Sequence, residues 1–232
     1  MCLIIASQNG ALTDESIVRL GFADNPDSWG IMTSNGRRVI TKKGFAWDDF
    51  EREYTRINGD PYVIHFRYAT HGAIDLGNCH PFQVSSGLYM AHNGVINIKA
   101  DNPAMSDSWH YAKLLRSSGI TKGNIDAYIP EIGKEIGIGN KLAFLTSRGD
   151  IHIANQSSGV MNGSVWLSNP YSTWMLPTEY EGQGYEGYGQ CEYCLTEDWI
   201  TPLVFEGHER VLCDLCASWA ERRESLGRVS CA

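Results

Sequence analysis

Cys2 is the first residue whose position suggests chemistry. It directly follows the initiator methionine, which is commonly removed when the next residue is small. Removal would leave Cys2 with a free α-amine of unperturbed pKa about 7.7–8.0, close to neutral. That amine can accept the thiol proton of its own residue, and the thiolate can then attack an acyl carbon. Taken alone, a cysteine here is far better explained as a small apolar residue opening a strand. A second signal lies near the other end of the chain. Cys191 and Cys194, and Cys213 and Cys216, form two Cys-x-x-Cys pairs separated by residues 195–212. That spacing falls in the window of roughly 15–20 residues for four-cysteine zinc sites. Four thiolates suit tetrahedral Zn²⁺, and a site closed by four protein ligands is structural rather than catalytic. The metal would supply folding energy that so short a segment cannot draw from a core. The chain has seven cysteines, and an odd total fits metal binding plus a reactive thiol better than a disulfide framework.

Three further segments follow MCLIIA in order: HFRYATHG at 65–72, AHNGVI at 91–96 and SDSWHYAKLL at 106–115. Together they make the chain resemble the class II glutamine amidotransferases, the N-terminal-nucleophile family, over roughly residues 2–170. The resemblance implies an α+β fold, a four-layer αββα sandwich. It also implies hydrolysis of the side-chain amide of L-glutamine through a γ-glutamyl thioester on Cys2.

Roles for individual residues come with it. Arg67 would hold the substrate α-carboxylate, a task that a planar guanidinium with two parallel donors suits. Thr70 and His71 would line the same pocket, and Tyr68 stands where some relatives carry tryptophan. The Asn93 side-chain amide and the Gly94 N–H would receive the developing oxyanion, and Asp107 would bind the substrate α-amine. Plainer readings exist for each: a surface ion pair for Arg67, a tight turn for Asn93-Gly94, a helix N-cap for Asp107. The last two are compatible with the catalytic reading. His80-Pro81 matches a His-Pro segment of the family with a structural or pocket-lining role. His65, His71, His80, His92 and His110 crowd one stretch, but none has the spacing of a His-Glu-x-x-His metal pair.

These residues need elements to position them. Cys2–Ser7 reads as a strand ended by the Gln8-Asn9-Gly10 turn. Thr13–Leu20 has the pattern of a weak helix. Trp29–Thr33 and Arg37–Lys42 flank Ser34-Asn35-Gly36, a hairpin signal, and Trp47–Asn58 reads as an amphipathic helix closed by Gly59. Pro61–Tyr68 and Gly87–Ala91 are β-rich and run into the Arg67 and Asn93 motifs. Ser106 or Asp107 caps a helix with apolar Trp109, Tyr111, Leu114 and Leu115, and a second helix spans Ile125–Ile136. Lys141–Thr146, Ile151–Asn155 and Ser164–Leu167 read as strands. Strands, then helices, then strands suggest two sheets covered by helices.

Residues 2–177 therefore read as the glutaminase domain, 178–190 as a linker and 191–232 as a zinc-binding tail. Glu179–Gln190 (EYEGQGYEGYGQ) contains no aliphatic side chain and cannot bury a core. Hydrophobic residues make up 43% of the 232 and charged residues 20%, the balance of a folded soluble protein. The net charge of −8 argues against a nucleic-acid partner. The zinc tail is the place where such contact would have a scaffold, but Arg222, Arg223 and Arg228 there are offset by Glu221 and Glu224. No apolar run approaches the roughly 18 residues of a membrane span, and MCLIIAS lacks the parts of a signal peptide, so the expected location is the cytoplasm. No segment of synthase size follows residue 170, which predicts either a stand-alone hydrolase or one half of a system whose separate synthase or transferase subunit takes the ammonia. Two other functions fit the same residues: hydrolysis of a γ-glutamyl amide larger than glutamine, and a non-catalytic zinc-bearing interaction module.

Overall fold

The computed structural model describes residues 2–57, 59–69, 72–169, 187–190, 197–205, 208–213 and 217. The chain divides into two units, Met1–Asn169 and Pro170–Ala232.

The first unit is a mixed α/β fold with two antiparallel sheets and four helices. β1 (Leu3–Ser7), β2 (Ser28–Ser34), β3 (Val39–Gly44), β4 (Tyr62–Arg67), β9 (Val160–Asn162) and β10 (Val165–Leu167) form a six-stranded sheet in the order β3-β2-β4-β1-β10-β9. β5 (Phe82–Ser85), β6 (Leu88–Asn93), β7 (Lys141–Thr146) and β8 (Ile151–Ala154) form the second sheet in sequence order. α1 (Glu15–Asp24) and α2 (Trp47–Tyr54) pack on the first sheet, whereas α3 (Asp107–Ser117) and α4 (Ile125–Ile136) pack on the second. The two sheets meet face to face through β1, β2 and β4 against β6 and β7, giving four layers.

Strand periodicity explains how one sequence serves two layers. All five residues of β1 and all six of β4 are buried, which needs a cover on both sheet faces. Side chains alternate across a strand. Ile4, Ala6 and Val63 point between the sheets, where they pack with Ala91, Ala143, Leu145 and Trp166. Leu3 and Phe66 point to the helices. A side chain at Gly21 would strike Leu3 and Phe66, so that glycine lets α1 lie close on the sheet. Beyond it, Phe50 of α2 sits at the centre of an aromatic cluster with Trp29, Trp47, Tyr54 and Phe66, ring centroids 4.9–5.6 Å away. On the other side of the molecule, Val84, Leu88, Met90, Leu142 and Phe144 pack against Tyr111, Leu115, Ile132 and Ile136 of the helices.

Some elements differ from expectation. The β2–β3 hairpin spends four residues on its turn, because Asn35 Oδ1 accepts from the N–H groups of both Arg37 and Arg38 (3.2 and 3.1 Å) and delays the second strand to Val39. Leu114 is 40% exposed on α3 and is not part of the core. β5 and β9 carry weak sequence signals and form by pairing with β6 and β10.

The second unit contains a three-stranded antiparallel sheet: β11 (Gly187–Gln190), β12 (Glu197–Phe205) and β13 (His208–Cys213), with β12 in the middle. β11 falls inside the stretch read as a linker. Main-chain pairing needs no apolar side chain, so its composition gave no sign of a strand. Among the described residues no helix is long and apolar enough to cross a membrane.

Phe50→Ala should destabilise the first unit by about 3–5 kcal/mol, the usual cost of emptying a buried aromatic site, as read from urea denaturation. A loss below about 1 kcal/mol would mean that the cluster does not hold α2 to the sheet.

Candidate active site

β1 places Cys2. Its register pairs Leu3 with Phe66 on one side and Ile5 with Leu167 on the other. Cys2, one residue before Leu3, therefore stands beside the end of β4, and the chain leaving β10 passes along its other flank. The Tyr68 N–H donates to Cys2 Sγ (3.4 Å), and Sγ lies 3.5 Å from the Tyr68 carbonyl, to which it donates. Burial pushes the Cys2 thiol above its ordinary value of 9.0. The Tyr68 bond, the positive amino terminus and Arg67 pull the other way, while Asp107 adds to the rise. The balance leaves the thiol protonated at neutral pH, so attack by sulfur requires a base.

Arg67 ends β4 on the face turned between the sheets, the same face as His65 and Val63. Only 3% of it is exposed, and its Nη1 donates to the Ala73 carbonyl (3.1 Å). The following segment is pinned by Asp27, whose Oδ2 accepts from the Ala69 N–H (2.6 Å) and whose own N–H donates to the Arg67 carbonyl (3.1 Å). Tyr68 is 51% exposed, so its ring lies at the rim and its main chain faces the thiol. Thr70 and His71 fall outside the described residues.

Asn93 ends β6 and is buried. Its Nδ2 donates to Ser168 Oγ (2.9 Å) and to Asn169 Oδ1 (3.0 Å), which engages both amide protons. Its Oδ1 is buried and has no hydrogen-bond partner among the described residues. Gly94 adopts φ +133°, and a Cβ there would collide with Asn140 Oδ1, so no other residue fits.

Asp107 opens α3 behind the N-cap Ser106, whose hydroxyl accepts from the Trp109 N–H (3.3 Å). The cap is thus Ser106, which frees the Asp107 carboxylate for another task. Its Oδ2 accepts from the Ile96 N–H (2.7 Å) and its Oδ1 from the Ser108 N–H (2.8 Å). Asp107 therefore ties the start of α3 to the segment after Gly94. Both Arg67 and Asp107 act electrostatically on the Cys2 thiol, and Asn169 bonds both the Cys2 carbonyl and Asn93, so the four motifs meet at one end of the sheets.

Three buried histidines back the site. The His65 and His80 rings are 3.9 Å apart, and His65 Nε2 is 2.9 Å from the His92 carbonyl. Burial pushes His65 down to about 3 and His80 well below its ordinary range. Burial also lowers His92, against the opposing pull of Asp107 and Asn140. All three are neutral at pH 7, so the positive charges that act on the thiol are the amino terminus and Arg67.

Sequence reasoning missed Ser168 and Asn169. Ser168 Oγ accepts from the Ile4 N–H (2.8 Å), its own N–H donates to the Ile4 carbonyl (2.9 Å), and Asn169 Nδ2 donates to the Cys2 carbonyl (2.8 Å). In the sequence they are two polar residues between Leu167 and Pro170, with no motif to single them out. Of the four cysteines expected to bind zinc, Cys191, Cys194 and Cys216 lie outside the described residues, and Cys213 is described only as the last backbone position of β13.

No family model matches this chain, and no curated protein does. Similar solved structures include glutamine phosphoribosylpyrophosphate amidotransferase from B. subtilis complexed with ADP and GMP, at 18% identity and TM-score 0.43, covering 72% of this chain and 41% of that one. A second, described as the allosteric regulatory enzyme of purine biosynthesis, has 19% identity and TM-score 0.46, covering 72% and 40%. A third, a predicted glutamine amidotransferase from Pseudomonas aeruginosa, has 19% identity and TM-score 0.39, covering 72% and 78%. This chain thus spans about two fifths of the length of the first two. What it does is read from its own residues.

Iodoacetamide alkylation of Cys2 in protein that retains Met1 should keep accelerating as pH rises past 9.0, because burial disfavours the thiolate. A rate that levels off well below that pH would contradict the environment described here.

Proposed function

We propose that the first unit is a glutamine amidohydrolase of the class II amidotransferase kind, with Cys2 as an N-terminal nucleophile. The observation that carries this reading is the convergence of Cys2, Arg67, Asn93-Gly94 and Asp107, from β1, β4, β6 and α3, around a thiol kept protonated by burial. Loss of Met1 would create the base that such a thiol needs, an amine with a pKa of about 7.7–8.0 on the same residue.

The reaction then runs as follows. The α-amine takes the Sγ proton as sulfur bonds to the γ-carbonyl carbon of glutamine. Charge develops on the carbonyl oxygen, which receives the Gly94 N–H and a share of the Asn93 carboxamide. Charge-assisted hydrogen bonds are roughly twice as strong as neutral ones, so the oxyanion competes well for an N–H that Ser168 and Asn169 hold at rest. The C–N bond breaks, the proton passes from the amine to nitrogen, and ammonia leaves. Water adds to the thioester, a proton returns to sulfur, and glutamate departs. Arg67 and Asp107 complement the α-carboxylate and α-amine. A separate synthase or transferase subunit using the ammonia is part of this reading.

One observation also favours a larger γ-glutamyl amide as substrate. Tyr68, Ile74 and Val95, next in sequence to Arg67, Ala73 and Gly94, expose apolar side chains that suit a group beyond the amide nitrogen. A panel of γ-glutamyl amides separates the two substrates by kcat/KM.

In the active protein, intact mass should show loss of Met1, and Cys2→Ala should abolish ammonia release from glutamine with the fold retained by circular dichroism. Full activity in a population that keeps Met1 would defeat the mechanism.

We also propose structural Zn²⁺ on Cys191, Cys194, Cys213 and Cys216. The register of the small sheet supports it. Gln190, just before Cys191, pairs with Glu197, and Cys213 pairs with Ile200. β11 and β13 flank β12, so Gln190 and Cys213 both lie along its half at residues 197–200. Zinc would supply folding energy there and no reaction step. Elemental analysis should find about one zinc per chain. Cys194→Ser with Cys213→Ser should remove it and expose the tail to protease; wild-type protein lacking zinc would rule the site out.

A further inference from the structure

We infer that Asn169 is a positioning residue for the reaction at Cys2, an inference that rests on the amidohydrolase reading above. Its side chain holds two parts of the site at once. Nδ2 donates to the carbonyl of Cys2 (2.8 Å), and Oδ1 accepts from Asn93 Nδ2 (3.0 Å). A carboxamide offers donor and acceptor at the two ends of one rigid plane, which neither a carboxylate nor an aliphatic side chain of similar size can do.

Two features make this link more than a local turn. The first is the state of Asn93. Its Oδ1 has no partner among the described residues, so the bonds to Ser168 and Asn169 set the orientation of its carboxamide. The second is the hold on Cys2. A hydrogen bond to the carbonyl of residue 2 restrains the rotation of that residue's main chain, and with it the directions of Sγ and of the α-amine that Met1 removal creates. Ser168 supplies the anchor: it bonds Ile4 in both directions, N–H to carbonyl at 2.9 Å and Oγ from N–H at 2.8 Å. The segment after β10 is thereby carried alongside β1 past the Ile5–Leu167 pairing. Asn169 thus keeps the nucleophile and the expected oxyanion donor in register, although they come from different sheets.

Misplacing a reacting group by about 1 Å can reduce a rate on the order of 100-fold. Arg67 and Asp107, which are expected to hold the glutamyl end, contact neither Ser168 nor Asn169 through the bonds described. Loss of Asn169 should therefore appear in kcat and not in KM.

The test uses the full chain with Asn169→Leu and Asn169→Asp, the second because it keeps an acceptor for Asn93 but loses the donor to Cys2. Both should lower kcat for glutamine by about 10–100-fold, with KM within about threefold of wild type and an unchanged melting temperature. In Asn169→Leu, iodoacetamide alkylation of Cys2, a displacement by a freely diffusing reagent that needs neither an oxyanion donor nor a fixed direction of Sγ, should stay within about threefold of wild type, whereas a merely structural residue would alter it together with kcat. A second measurement needs no turnover: the side-chain NH₂ resonances of Asn93 should shift in both variants. Unchanged kcat, or loss of kcat that tracks melting temperature and alkylation, overturns the inference. If wild-type protein hydrolyses no γ-glutamyl amide, the reading of the site fails, and unshifted Asn93 resonances separately show that the link itself is absent.

Discussion

The site depends on how β1 is seated. Five consecutive buried residues can be accommodated only where both faces of the strand are covered, and β1 meets this by lying between β4 and β10, with α1 on one side and the second sheet on the other. Register follows from the same constraint, because a slip of one residue would exchange Leu3 and Ile5 with Ile4 and Ala6 and turn each set toward the wrong layer. Once the register is set, the residue before Leu3 must stand at the sheet end beside Arg67 and Tyr68. Cys2 is brought there by hydrophobic packing and main-chain pairing of β1, and its bonds to Tyr68 and Asn169 hold it in place.

The electrostatics follow from that placement. Half-burial at the end of two paired strands keeps the thiol protonated, and the three imidazoles behind it are too deeply buried to carry charge at neutral pH. The amino terminus and Arg67 on one side and Asp107 on the other remain as the opposed charges that act on the thiol. Such a site suits a zwitterionic end group and an uncharged reacting bond. In the function proposed above, the proton is taken by a group brought very close, the α-amine that loss of Met1 would leave on the same residue.

Main-chain satisfaction at the strand ends supplies the second organising demand. Where β1 and β10 stop pairing as strands, Ser168 continues the pattern to Ile4, and Asn169 satisfies the Cys2 carbonyl. On the facing sheet Asp107 does the same for Ile96, and Asn140 contacts His92 through Oδ1 while donating to Ile136 through Nδ2. Polar side chains thus complete the backbone bonds of buried strand ends in both sheets.

Cys2, Arg67, Asn93, Gly94 and Asp107 could be picked out as candidates in the sequence because they stand in short ordered motifs, and most strands and helices of the first unit were legible because period 2 and period 3.6 are local properties. Ser168 and Asn169 were not legible. Their significance lies in which carbonyl and which amide they reach, and those partners are more than 70 positions away in the chain. The tertiary structure also decided that Ser106, and not Asp107, caps α3. Likewise, Gly187–Gln190, without an aliphatic side chain, becomes a strand because its pairing partner is the main chain of β12. Side-chain type and local period are written in the chain itself, whereas hydrogen-bond partners and strand neighbours exist only once distant segments are brought together.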